Sequence, residues 1–127
     1  YYDELGVLYN WEAAMKACPG GWHLPSSWDW RMLIQELDPE AGDKLKTSSG
    51  WVDHGGGNNV SGFSAIPSGY MTSNGEFRRY GAEAFYYTSD EENKTSARSY
   101  RLVSGYSNVW SFSTSQKVAF SVRCLRD

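Results

Sequence analysis

The side chains that could carry chemistry in this chain are few, and most of them lack the partners that chemistry needs. Cys18 and Cys124 stand near opposite ends of the sequence. Paired, they would close a loop of about a hundred residues, and the chain-entropy model assigns such a closure up to roughly 4–5 kcal/mol. Two buried free thiols in a reducing compartment are the alternative, and neither reading makes them nucleophiles. Asp90-Glu91-Glu92-Asn93 gathers oxygen ligands of the kind that hard cations want, although a solvated acidic turn uses the same residues; the turn is the expected reading. Asp53-His54 precedes Gly55-Gly56-Gly57-Asn58-Asn59 and could donate to a metal, yet no second His or Cys is placed to complete a coordination shell. His23, between Trp22 and Leu24, reads as a hydrogen-bonded turn residue rather than a base. Gly62-Phe63-Ser64-Ala65-Ile66 fails the nucleophile-elbow pattern at its last position, and Gly55-Gly56-Gly57-Asn58-Asn59-Val60 fails the dinucleotide fingerprint in the same way. No catalysis and no cofactor are expected.

Composition narrows the classes further. The 127 residues are enough for one domain with a core of its own. The net charge is −3 and the basic residues are scattered, so nucleic acid is not an expected partner. No apolar run approaches the length of a membrane span, so direct membrane insertion is not expected either. With neither a signal peptide nor an initiator Met, the chain reads as a module of a longer polypeptide. Aromatic residues reach 16%, with six Trp and nine Tyr, alongside 13 Gly. Helix-forming patterns are confined to the first third, which points to a loop-rich α+β or all-β domain whose irregular spaces are filled by aromatics.

The elements that must position these residues begin at a corner. Trp11, Ala14, Met15 and Cys18 share one face of a helix predicted over residues 11–18, which Pro19-Gly20-Gly21 ends. Pro25 excludes αR at Leu24, Ser26 is an N-cap, and Asp29 reaches back as a short capping box. A second helix follows over residues 27–37, with Trp30, Leu33, Ile34 and Leu37 on its apolar face. Leu5, Val7 and Tyr9 alternate as a short strand ahead of the first helix. Residues 38–42 end the second helix, and residues 44–59 read as an irregular loop anchored by Trp51 and Val52. Asn74-Gly75 marks a hairpin between Tyr70-Met71-Thr72 and residues 76–80. Further strands are predicted around residues 84–89, 97–103, 108–113 and 119–125.

Five motifs in order carry a resemblance over nearly the whole chain. They are Leu8-Tyr9-Asn10-Trp11 with Ala13-Ala14-Met15, Ala17-Cys18-Pro19 with Gly21-Trp22-His23-Leu24-Pro25-Ser26, Ala41-Gly42 with Lys44-Leu45-Lys46, Ser61-Gly62-Phe63-Ser64-Ala65-Ile66-Pro67 with Gly69-Tyr70, and Phe120-Ser121-Val122-Arg123-Cys124. In these the chain resembles the Fibrobacter succinogenes major paralogous domain, a family found on secreted and surface proteins of Bacteroidetes and their relatives. That family is in turn similar to C-type lectins and formylglycine-generating enzymes. The resemblance implies an α+β, C-type-lectin-like fold: two N-terminal helices packed on a small twisted antiparallel sheet with long irregular loops. It also implies that Cys18 and Cys124 are joined, because C-type lectins link the first helix to the last strand at these places. The Glu-Pro-Asn and Trp-Asn-Asp signatures of calcium-dependent sugar binding are absent. Formylglycine-generating enzymes use cysteines that lie near one another in an active-site groove, and a structural bridge would consume both of this chain's cysteines.

The chain departs from the family mainly in one sector, from Tyr86-Tyr87-Thr88-Ser89-Asp90-Glu91 through Arg98-Ser99 to residues 110–116. That sector is written in Ser, Tyr, Arg, Asn, Trp and Phe. Antibody paratopes use the same vocabulary, with Tyr and Trp giving contact area at low entropic cost and Ser and Asn giving adaptable hydrogen bonds. The fold is also similar to that of variable proteins of diversity-generating retroelements, which randomise such positions just before the final strand. The candidate ligand-binding residues are Tyr86, Tyr87, Arg98, Tyr100, Tyr106, Asn108, Trp110 and Phe112. Within the strands, Trp110 and Phe112 fall on one face with Val109 opposite, and Tyr100 and Leu102 share another. The expected partner is a protein or a glycan on a cell surface, and the expected location is extracellular, at the cell surface or on a phage virion.

Overall fold

The computed structural model describes residues 7–127. It is an α+β arrangement, with three α-helices, one short 3₁₀ turn and small antiparallel sheets among the described residues. Helix α1 spans Trp11–Ala17, and its N-terminus is closed by Asn10, whose Oδ1 accepts from the Ala13 N–H at 2.9 Å. After the turn at Pro19-Gly20, strand β1 (Trp22–His23) leads into α2, Ser27–Leu37. Its N-terminus carries the reciprocal box: Ser26 Oγ accepts from the Asp29 N–H at 3.1 Å, and the Asp29 carboxylate accepts from the Ser26 N–H at 3.0 Å. A third helix, α3 (Ala41–Leu45), follows where the sequence reads only the end of the second helix, and residues 44–59 are irregular as expected apart from the end of α3 and a 3₁₀ turn at Val52–His54. Of the two anchors expected there, Trp51 is buried and Val52 is exposed.

The main sheet runs β4 (Glu83–Glu91), β5 (Ser96–Val103) and β6 (Trp110–Ser115), antiparallel and in that order. The Asn-Gly hairpin is present as β2 (Tyr70–Met71) paired with β3 (Phe77–Arg78). The closing segment is less regular than a single strand. Ala119 bridges Met71, Phe120 bridges Tyr9 and Ser121 bridges Tyr86, after which β7 (Leu125–Arg126) pairs with β1. The expected alternation of Leu5, Val7 and Tyr9 falls partly outside the described residues; Tyr9 itself forms the bridge to Phe120.

Strand β4 explains why the core is double. From Glu83 to Thr88 it is buried without interruption, so both of its faces are covered. On one face Ala84 and Tyr86 join Tyr100, Leu102, Trp51 and Trp30 of α2, and Trp30 stacks on Tyr100 at 5.2 Å. On the other, Phe85 and Tyr87 join Ala97 and Phe120 with Ala14 and Trp11 of α1. The Trp11 indole N–H donates to the Thr88 carbonyl at 2.9 Å, fixing that helix to the strand.

The two ends of the domain are tied together three times. Cys18 and Cys124 form a disulfide, β1 pairs with β7, and His23 Nδ1 lies 2.7 Å from an Asp127 carboxylate oxygen. His23 Nε2 lies 3.4 Å from the Asp29 carboxylate. The Asp127 hydrogen bond, then the one to Asp29, raises the His23 pKa above 6.5 against an opposing desolvation. A raised histidine stabilises the fold fully below pH 6.5 and ceases to do so as pH rises through the folded value. The expected result is an NMR titration of His23 with its midpoint above 6.5, displaced back toward 6.5 by Asp127→Asn. A midpoint at or below 6.5 in the unaltered protein would remove this tie.

Candidate functional site

The predicted sector divides between the two faces of the sheet and the interior. Tyr86, Tyr87 and Tyr100 are core residues, with 2%, 1% and 3% of their surface exposed, so their expected place in the ligand surface is corrected. The reason is packing: Tyr86 and Tyr100 are cross-strand partners pressed between the sheet and α2, and Tyr87 lies under Phe120 at 4.6 Å. Burial pushes the Tyr86 hydroxyl up to about 12, with Arg123 opposing, and raises Tyr87 as well. The Tyr87 hydroxyl lies 2.8 and 2.7 Å from the Ser115 and Val118 carbonyls, and that of Tyr100 is 3.3 Å from the Ser27 carbonyl. Both of these hydroxyls are committed to the interior.

Arg98 is partly exposed, but it belongs to the α2 side of the sheet. Its Nε donates to Glu92 at 2.6 Å and its Nη1 to Ser111 Oγ at 3.3 Å. The acidic turn is likewise occupied by the protein itself. Asp90 accepts from the Ser27 N–H, Glu91 lies near the Gln116 amide, and Asn93 accepts from the Thr95 and Ser96 N–H groups. Among the described residues no three His, Cys, Asp or Glu side chains gather into a metal site. Asp53 and His54 lie exposed in the 3₁₀ turn with positive φ.

Four of the predicted residues do come together, at β6 and the turn before it. Tyr106 is 56% exposed and meets Trp110 edge-on at 5.6 Å. Asn108, exposed, lies between them in sequence. Trp110 and Phe112 project from the α1 face of the sheet, while Val109 packs into the α2-side core. Between the two rings lies a residue the sequence reading missed: the Arg101 guanidinium, 5.5 Å from the Trp110 ring centre and 6.0 Å from that of Phe112. Arg101 is the cross-strand partner of Trp110, so parity plus register was the available signal.

Beside this strip is a pocket of about 300 Å³. Phe85, Phe112 and Phe120 form its aromatic wall, with Phe85 and Phe120 stacked at 5.1 Å. Glu83 enters it from the start of β4, nearly buried, with one carboxylate oxygen 3.2 Å from Arg101 and the other 3.4 Å from Arg79. Two guanidiniums share one carboxylate, which leaves a net positive charge at the mouth of an aromatic pocket.

The turn carrying Tyr106 and Asn108 is held from below. Gly42 donates its N–H to the Ser107 carbonyl at 2.8 Å, and a Cβ there would meet the Asn108 and Ser107 carbonyl oxygens at 2.6 and 2.7 Å. Only glycine lets α3 approach this turn so closely. Lys46, fully buried, sends its Nζ to three carbonyls: Gly55 at 3.1 Å, Val103 at 2.9 Å and Tyr106 at 2.8 Å. Desolvation lowers its pKa, and the Asp43 carboxylate at 3.9 Å opposes that shift.

No curated protein and no solved structure matches the chain. The family model of the Fibrobacter succinogenes major domain matches residues 1–126, and the chain therefore belongs to that family.

Proposed function

We propose that this domain is a non-enzymatic recognition module of a secreted or cell-surface protein, built on a C-type-lectin-like scaffold, whose ligand is a protein. Its contact residues are Tyr106, Asn108, Trp110 and Phe112, with Arg101 set between the two β6 rings. The observation that carries this reading is the placement of the Tyr106–Trp110–Arg101 group on a turn held from behind by α3 and Lys46 and on the edge strand that follows it. Aromatic anchors on a rigid support give contact area at little cost in order. Ser111 and Ser113 alternate with the rings and are exposed, so substitution there leaves the core untouched; this supports diversification by a retroelement as part of the same reading. The disulfide is compatible with an oxidising, extracellular compartment.

A displayed protein library screened beside a glycan array tests the proposal. Binders from the library should lose at least about 10-fold in affinity against Tyr106→Ala and Trp110→Ala. The Tyr106→Ala protein should melt within a few degrees of the unaltered one, because that ring is mostly in solvent. Hits confined to the glycan array would transfer the site to a calcium-independent glycan-binding adhesin. Silence in both screens would discard recognition in favour of a ligand-free structural module.

A further inference from the structure

Among the described residues nothing pairs with the outer edge of β6, and the geometry of that edge follows from two hydrogen bonds. The Ser104 N–H donates to the Ala82 carbonyl, in the same register as Glu83 opposite Val103. Even-numbered residues of β5 therefore direct their backbone groups to β4, and Ala97, Ser99 and Arg101 direct theirs to β6. The Gln116 N–H donates to the Thr95 carbonyl, in agreement with that phase. On β6, then, Trp110, Phe112 and Thr114 bond inward to β5, while Ser111 and Ser113 point their N–H and C=O groups away from the sheet. Among the described residues no strand pairs with that edge. Proteins usually blunt such edges with Lys, Pro or a bulge; Trp110–Ser115 carries no charge and no proline, and its register with β5 is unbroken.

We infer that β6 accepts an added strand, an extended segment of a partner protein bearing an Asp or Glu opposite Phe112. This rests on the recognition reading above and names the form of the ligand. An extended chain pairing with Ser111 and Ser113 places the side chain between those bonds on the Phe112 face. There it meets the positive mouth of the aromatic pocket. Arg101, whose guanidinium lies 6.0 Å from the centre of the Phe112 ring, spends one contact on Glu83 and keeps further N–H donors for a second carboxylate, while Arg79 adds positive charge farther in. A basic side chain at that position would be repelled by this charge, and an apolar one would gain no charge-assisted hydrogen bond from Arg101.

The test uses octapeptides of alternating Thr and Val in which one position carries Glu, scanned along the peptide, beside the same series with Gln. In the best register the Glu peptide should bind at least 10-fold tighter than its Gln counterpart and slow exchange of the Ser111 and Ser113 amide protons at least 10-fold. Ser113→Pro removes one outward N–H without touching the β5 ladder, and should lose the peptide while staying folded. If that variant does not fold, the exchange measurement on the unaltered protein decides by itself. Unprotected Ser111 and Ser113 amides at saturating peptide, equal binding of Glu and Gln peptides, or no binding in either series overturns the inference. So does a dimer in sedimentation that Ser113→Pro abolishes, since the edge would then belong to a second copy. Loss of library binders in Tyr106→Ala but not in Ser113→Pro would leave the recognition reading standing and remove only the added strand.

Discussion

Replacing Cys18 and Cys124 together by alanine will cost the fold about 4–5 kcal/mol and lower its melting temperature by about 15 °C, the value expected when a closed loop of this length is opened. The bridge joins residues 106 positions apart, nearly the whole chain, so it constrains the unfolded state about as much as one disulfide in this chain can. In the folded state it sits among weaker ties between the same two segments. Strands β1 and β7 are two residues each, and the His23–Asp127 contact is exposed and screened by salt. Without the covalent link these are the ties that remain on β7, whereas Phe120 stays anchored in the core, so β7 should become the first element to exchange. Urea denaturation checks the prediction in two independent numbers. The midpoint falls, and the slope rises because the uncrosslinked unfolded chain exposes more surface. The sheet β4–β5–β6 contains neither cysteine, so ligand capture below the new melting temperature should persist. A loss of stability below about 1 kcal/mol would mean that the open unfolded chain is already compact, and that the frame owes its stability to packing rather than to its tether.

What could be read in advance follows the range of the interactions involved. The corner at residues 18–30 and the hairpin were legible because their determinants are local: Ser26 and Asp29 close the box on α2, and Asn74-Gly75 turns the hairpin. Strand alternation correctly placed Trp110 and Phe112 opposite Val109. It could not tell which strand is covered on both faces. β4 is, and for that reason Tyr86 and Tyr87 are core while Trp110 is not. An aromatic-rich segment looks the same whether its rings meet a partner protein or α2. The charged members of the site were harder still. Glu83, Arg79 and Arg101 form one group only after the β4–β5 register exists, and their sequence context resembles any solvated strand. The reading of residues 44–59 as an ordered but irregular loop holds outside the end of α3 and the 3₁₀ turn, but what orders the loop was not legible, for the same reason. Its organising residue is a lysine whose acceptors come from the 3₁₀ turn, the end of β5 and the Tyr106 turn. The Ala41-Gly42 and Lys44-Leu45-Lys46 motif marked those positions without giving a physical cause, which close backbone approach at Gly42 and burial at Lys46 now supply.

That lysine carries the second large effect. Lys46→Met should destabilise the domain by about 2–4 kcal/mol, the loss of three hydrogen bonds to a charged donor set against the relief of its desolvation. The ammonium has three N–H donors and three carbonyls converge on it, so its hydrogen bonds are saturated, and the Trp51 ring 5.3 Å away adds a cation–π contact. Methionine restores the stem but answers none of the carbonyls: those of Gly55 and Val103 keep the N–H groups of Gly105 and Tyr106 at 2.8 and 3.2 Å, and the loss falls mainly on the Tyr106 carbonyl, where a buried acceptor left without a donor costs roughly 1–3 kcal/mol. Arginine does not rescue it, because a planar fork cannot replace a compact tripod in a site with no room. Lys44 is the control: its Nζ reaches a single carbonyl, that of Leu37 at 2.8 Å, and Lys44→Met should cost only about 1 kcal/mol. The Lys46 variant also has a functional signature. Two of its three acceptors, Val103 and Tyr106, flank the turn that presents Tyr106, so their release frees that ring even in molecules that remain folded. Amide exchange in residues 103–107 should accelerate in Lys46→Met under conditions where the rest of the sheet stays protected, and library binders should weaken with it. Equal protection of that turn in Lys46→Met and Lys44→Met would show that the turn is held by its backbone hydrogen bonds, Gly42 to Ser107, Gly105 to Gly55 and Tyr106 to Val103, and that the buried lysine serves the core without reaching the proposed binding surface.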